Sequence, residues 1–270
     1  MNNIEKFLSD VRIIDTETTG FDPLKVDIIE FGYADFTSNG WAGDSRLYSP
    51  TTPIPPFISV VTGISNYMIA GKPRLVDEPE FCVKNMTGKK WFVAHNAEFD
   101  AMQLAHHMRR ADLDVPTVSM DNWKPHWICT LRIARKIYED LDERSLGFLR
   151  YSLDLDAHMD PKMANLPHRT DTDVYVTGHL LVEMVSKCIL DGHIDPEGDI
   201  GEQLHEFSWA APVITKFPFG KHKGVLLKDV PDSYYMWAIN NMDCFQENHE
   251  RYDPDLSTAV ANEIESRLDK

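Results

Sequence analysis

Cysteine is scarce. The chain of 270 residues has four, Cys82, Cys129, Cys188 and Cys244, far apart and without a CxxC pair. That argues against a zinc framework or a disulfide-stapled fold and reads as reduced thiols of a cytosolic protein. Basic residues are outnumbered, 27 Lys+Arg against 43 Asp+Glu, for a net charge of -16. A protein that coats nucleic acid nonspecifically needs the opposite balance. An enzyme whose acidic site carries cations does not, because the ions invert the local electrostatics. No apolar run approaches the ~20 residues of a membrane span. The opening "MNNIEKFLSD" has no apolar signal core. Internal repeats, low-complexity tracts and the GxxxxGK[ST] phosphate loop are all absent. The expectation is a cytoplasmic protein without a membrane or an obligate protein partner, bacterial or phage-encoded.

What is present is ample apolar content, 43%, with 26% charged residues, enough for a sizeable core. "VRIID" reads as a strand, a turn follows around Gly20 to Pro23, and "VDIIEFGYADF" reads as a second strand. "WAGDSRLYSP" extends the series as a third. Successive strands joined by short connections predict an antiparallel opening to the sheet. "KKWFVAHN" is a further strand. Helices are predicted over "AEFDAMQLAHHMRRA", "WICTLRIARKIYED" and "TDVYVTGHLLVEMVSKCIL", the last with Val176, Leu180, Met184 and Ile189 along one stripe. The expected domain division is residues 1–190, a linker over 191–212, and a small α+β module over 213–270. In the module two Gly-bounded, strand-like runs precede a helix from Pro231 and a terminal helix.

Asp15 and Glu17 lie two apart at the end of the first strand, so they face the same side. Alone, such a pair also fits two solvated loop acids. Asp100 follows a strand near a helix start, where the helix dipole by itself favours an acid. His95 and Asn96 beside it are harder to explain as packing, since strand ends before helices are where α/β folds hold ligands. In "HRTDTDVYVTGHLL", Thr170 or Asp171 suffices to cap the helix. Asp173 in its first turn and His168 just outside remain. Together these make an ordered set: a strand-end DxE, an Asp after a strand, and HxxxxD at a helix start. Hard divalent cations prefer carboxylate oxygens. Two such ions about 4 Å apart stabilise both the attacking and the leaving oxygen of a phosphodiester displacement. An imidazole is suited to taking a proton from water near neutral pH.

The segments "DTETTG", "HNAEFD" and "HRTDTD" resemble the three motifs of the DEDDh branch of DnaQ-like 3′–5′ exonucleases. Arg169 stands where the sister branch has Tyr. "VTGIS" from Val61, "ICTLRIARKI" and "SLGFLRYSLDLD" extend the likeness over residues 9 to 190, and "FPFGKHKGVLLKDVPDSYYMWAI" resembles the module that follows the exonuclease domain in the exodeoxyribonuclease X group. The resemblance implies a ribonuclease-H-like fold, a mixed five-stranded sheet flanked by helices. It also implies release of nucleoside 5′-monophosphates from DNA 3′ ends, single-stranded or frayed, with two Mg²⁺ ions that Mn²⁺ can replace. Asp15, Glu17, Asp100 and Asp173 would be metal ligands and His168 the general base. Thr18, Gly63, Ile64 and Asn96 would meet the terminal nucleotide or hold the site. The third motif often has a small Ala where this chain has Thr170. In "KFPFGKHKG", Lys221 and Lys223 beside Phe217 and Phe219 suit single-strand contact by charge and stacking; the two rings equally suit the core of a tiny domain. Rival readings are an RNA 3′-trimming exoribonuclease of the same branch and a non-catalytic nucleic-acid-end binding module.

Overall fold

Strand β1 (Val11–Thr18) is the centre of the molecule's first unit, and its alternation sets the layers. Val11 and Ile13 point into one core and Ile14 into another on the opposite face. The structure is a computed structural model and describes residues 2–160, 169–211, 214–246 and 252–268. β2 (Ile28–Thr37) and β3 (Gly40–Leu47) continue the chain, and β4 (Trp91–Ala94) and β5 (Trp127–Cys129) follow later. The five strands are ordered β3-β2-β1-β4-β5. β1, β2 and β3 pair antiparallel, whereas β4 runs parallel to β1 and β5 parallel to β4. The antiparallel opening is as expected, and so is the mixed five-stranded sheet implied by the resemblance.

Helices cover both faces. α1 (Asn3–Ser9) enters through a capping box in which Asn2 and Glu5 satisfy each other's backbone N–H. α2 (Pro56–Thr62) and α3 (Glu80–Asn85) lie between β3 and β4. α4 (Ala97–Arg110) buries Ala101, Leu104, Ala105 and Met108 on the Ile14 face. α5 (Thr130–Ile137), α6 (Leu146–Ser152) and the long α7 (Thr170–Leu190) pack on the other face. The predicted helix "WICTLRIARKIYED" is a correction: Trp127–Cys129 is β5 and the helix begins at Thr130. A short buried apolar run fits either state, and pairing with β4 decides it.

The linker expectation over 191–212 also needs correcting. Residues Ile200–Trp209 form α8, whose Ile200 and Leu204 are buried in the main core. Arg132 Nε donates to the Ser208 carbonyl, Lys136 Nζ donates to that of Phe207, and Trp209 Nε1 donates to that of Trp127. Gly, Pro and acids around 191–199 mark a turn, and the apolar positions beyond it carry the chain back onto the sheet. The compact units divide at Trp209 and Ala210.

The second unit, Ala210–Lys270, has its own core of Phe217, Leu227, Val230, Tyr235, Ala238, Phe245, Leu256 and Val260. Its helices are α9 (Asp232–Asn241) and α10 (Pro254–Leu268). The two strand-like runs meet only as an isolated bridge, Lys216 with Leu226, so the described part is mainly helical. Among the described residues no helix is long and apolar enough to cross a membrane.

Candidate active site

The DxE pair sits where β1 leaves the sheet. Asp15 and Glu17 share the face of Val11 and Ile13, the face that α7 crosses, while Thr16 and Thr18 turn toward α4. In the β1–β2 register Asp15 lies opposite Gly32 and Glu17 opposite Glu30, and a bulge follows between Glu17 and Thr18. Gly32 matters because a Cβ there would lie 2.6 Å from Thr170 Cβ and Oγ1. Its missing side chain lets the first turn of α7 descend onto the sheet beside Asp15. One oxygen each from Asp15, Glu17 and Asp173 then come within 4.8 Å of one another.

Asp100 reaches the cluster from the other side of the strand. It is 3% exposed, on the first turn of α4, and its Oδ1 accepts a 2.8 Å hydrogen bond from Thr16 Oγ1. The chain turns into α4 at Asn96, which is left-handed (φ 84°) and exposed, with no side-chain capping bond. Asn tolerates that conformation better than most residues. His95 ahead of it is half-buried and pins three segments: its Nε2 lies 2.7 Å from the Arg144 carbonyl and its Nδ1 3.0 Å from Thr130 Oγ1. Burial pushes its pKa down to about 4, and both ring nitrogens are taken up by these contacts.

The carboxylates repel one another. Burial, then Asp100, Asp173, Glu17 and Glu30, raise the Asp15 pKa well above the usual range. Burial, then Asp173, Glu30 and Asp100, push Glu17 up to about 8, with Arg169 opposing. Burial pushes Asp100 up to about 7 despite the Thr16 hydrogen bonds. Asp15 Oδ2 is buried with no hydrogen-bond partner among the described residues. A crowded all-oxygen donor set with an orphaned buried carboxylate oxygen fits hard divalent cations.

Two residues not anticipated from the sequence complete the site. Glu30, with no exposed surface, accepts from Arg169 Nη2 at 2.5 Å and Nε at 3.0 Å, from Ser45 Oγ at 2.9 Å and from the Thr170 amide at 3.3 Å. Arg169 occupies the N-cap position of α7 and makes no side-chain cap there. A carboxylate from β2 thus takes the Thr170 amide, while Asp171, one of the two expected caps, accepts from the Thr172 amide at 2.8 Å. A signal existed: Glu30 interrupts the apolar run "IIEF" at a position the neighbouring residues mark as buried.

The other predicted residues are spread out. The Thr18 hydroxyl donates to the Gly20 carbonyl. Gly63 ends α2 in a left-handed conformation (φ 68°). Ile64 is a correction, since its side chain is fully buried among Ile29, Ile54, Ile58 and Ile69 and has no surface to offer a base. The exposed apolar side chains of that segment are Phe57, Val60 and Val61. Lys221 and Lys223 belong to the second unit. His168 lies outside the described residues.

This carboxylate cluster on a mixed sheet is that of a nuclease, and the family model described as Exonuclease matches residues 13–181. The chain belongs to that family and is a DnaQ-like 3′–5′ exonuclease. It is 28% identical to exodeoxyribonuclease 10 of Escherichia coli K12 over 86% of this chain and 92% of that protein. The 3′-5′ exonuclease DinG of Bacillus subtilis is 29% identical over 65% of this chain and 17% of its own length. A structure of exonuclease X in complex with 5′-overhanging duplex DNA superposes with a TM-score of 0.52 at 29% identity, covering 73% of this chain and 99% of that one. Residues 210–245 match a second family model, described as "Putative quorum-sensing-regulated virulence factor".

Proposed function

We propose that the protein removes nucleotides from DNA 3′ ends as nucleoside 5′-monophosphates, with Mg²⁺ as the cofactor and His168 as general base. The observation that carries this reading is the convergence of Asp15, Glu17 and Asp173 within 4.8 Å, with Asp173 brought to the strand pair by the distant helix α7. Asp15, Glu17 and Asp173 would hold the ions directly, with Asp100 supporting them from α4. Bound divalent ions supply Lewis-acid stabilisation of phosphate oxygens and a water of lowered pKa.

The chain's own residues do the rest. Asp100 is held by Thr16, so both strand and helix fix its carboxylate. Glu30 and Arg169 seat the start of α7 and with it Asp173. His168, next to Arg169 in sequence, takes the proton of the attacking water. Thr18 at the end of β1, Gly63 at the end of α2 and Asn96 before α4 bound the place of the terminal nucleotide. The backbone, and not the side chain, is what Ile64 brings to it. DNA is favoured as substrate by the likeness to exodeoxyribonuclease 10 over nearly all of its length.

The test uses single-stranded DNA labelled at either end, with Mg²⁺ or EDTA, beside Asp15→Ala. Metal-dependent release of mononucleotides from the 3′ end, abolished in the variant, is expected. Retained end binding without cleavage under Mg²⁺ or Mn²⁺ would sink the catalytic reading. An RNA oligonucleotide cleaved in preference to the DNA would replace the substrate assignment.

A further inference from the structure

We propose that the second unit is a single-stranded-DNA-binding module whose stacking surface is the ring series Trp237–Tyr234–His222, with Lys221 and Lys223 flanking it. This deepens the exonuclease reading and rests on it. The aromatic pair in "KFPFGKHKG" cannot supply that surface. Phe217 has no exposed area and Phe219 packs edge-on against it, 5.5 Å between ring centres. Both are largely spent on a core that a unit of this size needs.

Other rings take the role. Along α9, Tyr235 and Ala238 face the core, whereas Trp237 is 50% exposed and Met236 stands beside it. Trp237 lies against Tyr234 at 5.5 Å with the planes only 35° apart. Tyr234 in turn meets Phe217 edge-on at 5.4 Å and His222 at 4.3 Å. The exposed indole is therefore anchored through Tyr234 to the buried core. A large ring held rigidly yet left half in water forgoes apolar burial that a small unit could use.

Charge is segregated to the same place. Between Ile214 and Lys228 the sequence has Lys216, Lys221, Lys223 and Lys228 and no acid, on a chain of net charge -16. The loop bearing Lys221 and Lys223 has a defined shape. Gly220 and Gly224 are left-handed (φ 68° and 79°). Phe217 N donates to the Val225 carbonyl and Gly224 N to that of Phe217, each at 2.8 Å. His222 packs on Tyr234, and its sequence neighbours Lys221 and Lys223 are both exposed. Cations beside flat ring faces match a chain of phosphates with unpaired bases, whereas a duplex keeps its base faces stacked away. A module of this kind raises the local concentration of the strand and needs no contact with the catalytic carboxylates.

The test keeps the full-length protein in EDTA and measures anisotropy of a fluorescein-labelled oligothymidylate. Trp237→Ala should weaken binding about tenfold, and Trp237→Phe should recover most of it. Lys221→Gln with Lys223→Gln should lower the salt slope by about 1.4, two phosphates at about 0.7 each. With Mg²⁺, hydrolysis of the p-nitrophenyl ester of thymidine 5′-monophosphate, which has no strand to tether, should be unchanged in all of them. Wild-type affinity in Trp237→Ala, with the ester still cleaved, overturns the module and leaves the exonuclease standing. Ester hydrolysis missing from the wild type, with the binding pattern intact, does the reverse. Tighter binding of oligouridylate than of oligothymidylate overturns the assignment to DNA. Thermal melts of each variant separate lost binding from lost folding.

Discussion

Arg169→Met and Glu30→Gln remove opposite halves of one ion pair and should not cost the same. Glu30 is 0% exposed and the Arg169 side chain 28% exposed. In Arg169→Met a carboxylate stays buried across the strand pair from Glu17, keeping, among the described residues, the Ser45 hydroxyl and the Thr170 amide as donors. Leaving a buried charge unpaired costs about 3–5 kcal/mol. In Glu30→Gln the guanidinium can turn to water, and the loss is charge-assisted hydrogen bonding, about 1–2 kcal/mol. The predicted gap is therefore about 2 kcal/mol, or roughly 4–8 °C in Tm for a unit of this size. The double variant should be more stable than Arg169→Met alone. Calorimetry in EDTA measures this, with the transition of the first unit resolved from that of the second. If Glu30→Gln proves as costly as Arg169→Met, the unpaired charge does not govern the loss of stability, and the amide cap of α7 must do so instead. Both changes loosen the first turn that carries Asp173. Both should therefore lower kcat and raise the Mg²⁺ concentration needed for half-maximal rate.

Three further outcomes are expected. Glu17 and Asp100 have pKa values raised from 4.5 and 3.8 to about 8 and about 7. Between those limits the native state holds protons the unfolded chain has lost, so the metal-free protein should lose stability as pH rises from about 4.5 to about 8. Melts in EDTA across that range check it, a flat profile refutes it, and added Mg²⁺ should raise Tm more at the alkaline end. Gly32→Ala places a Cβ 2.6 Å from Thr170 and should cost about 1–3 kcal/mol together with most of the turnover. Gly147→Ala, with nothing within 4 Å of its Cβ, is the control expected to be neutral in both assays. Thr170→Val replaces with a methyl a buried hydroxyl that has no hydrogen-bond partner among the described residues. It should raise stability by about 1 kcal/mol with activity kept, and a fall in activity would show that the hydroxyl serves the loaded site.

The acids of the candidate site were legible because their spacing was local. Asp15 and Glu17 share a strand face by the twofold period, and Asp100 and Asp173 announce themselves at helix starts. What brings them together is not local. Gly32 looks like any strand glycine until Thr170 is laid on it, and the run around Glu30 marks it as buried but does not show its partner, Arg169, 139 positions away. The same limit explains α8: acids and turn residues at 191–199 read as a linker, while the burial of Leu204 is set by a core assembled elsewhere. Ile64 failed for the opposite reason. The motif resemblance fixed its place in the chain, but an isoleucine beside Ile58 and Ile69 serves packing first.

The site is costly to fold, and the architecture shows where the offset lies. Burial and neighbouring carboxylates raise the Asp15 and Glu17 pKa values, with Arg169 opposing at Glu17, and burial raises that of Asp100. The destabilisation falls at the ends of β1, α4 and α7, not at their centres. Behind its first turn, α7 buries Val174, Val176, Leu180, Leu181, Met184, Val185 and Cys188 in the main core. At about 1.5–3 kcal/mol for each large apolar side chain, that stripe outweighs several kcal/mol of repulsion at the helix start. α4 does the same with Leu104 and Met108 on the other face. Two helices anchored on opposite faces of the sheet can therefore hold acids against one strand end whether or not those acids are neutralised. The expected consequence is that removing charge at Asp15, as in Asp15→Asn, stabilises the metal-free protein while destroying its activity, a combination that a purely structural acid at that position would not give.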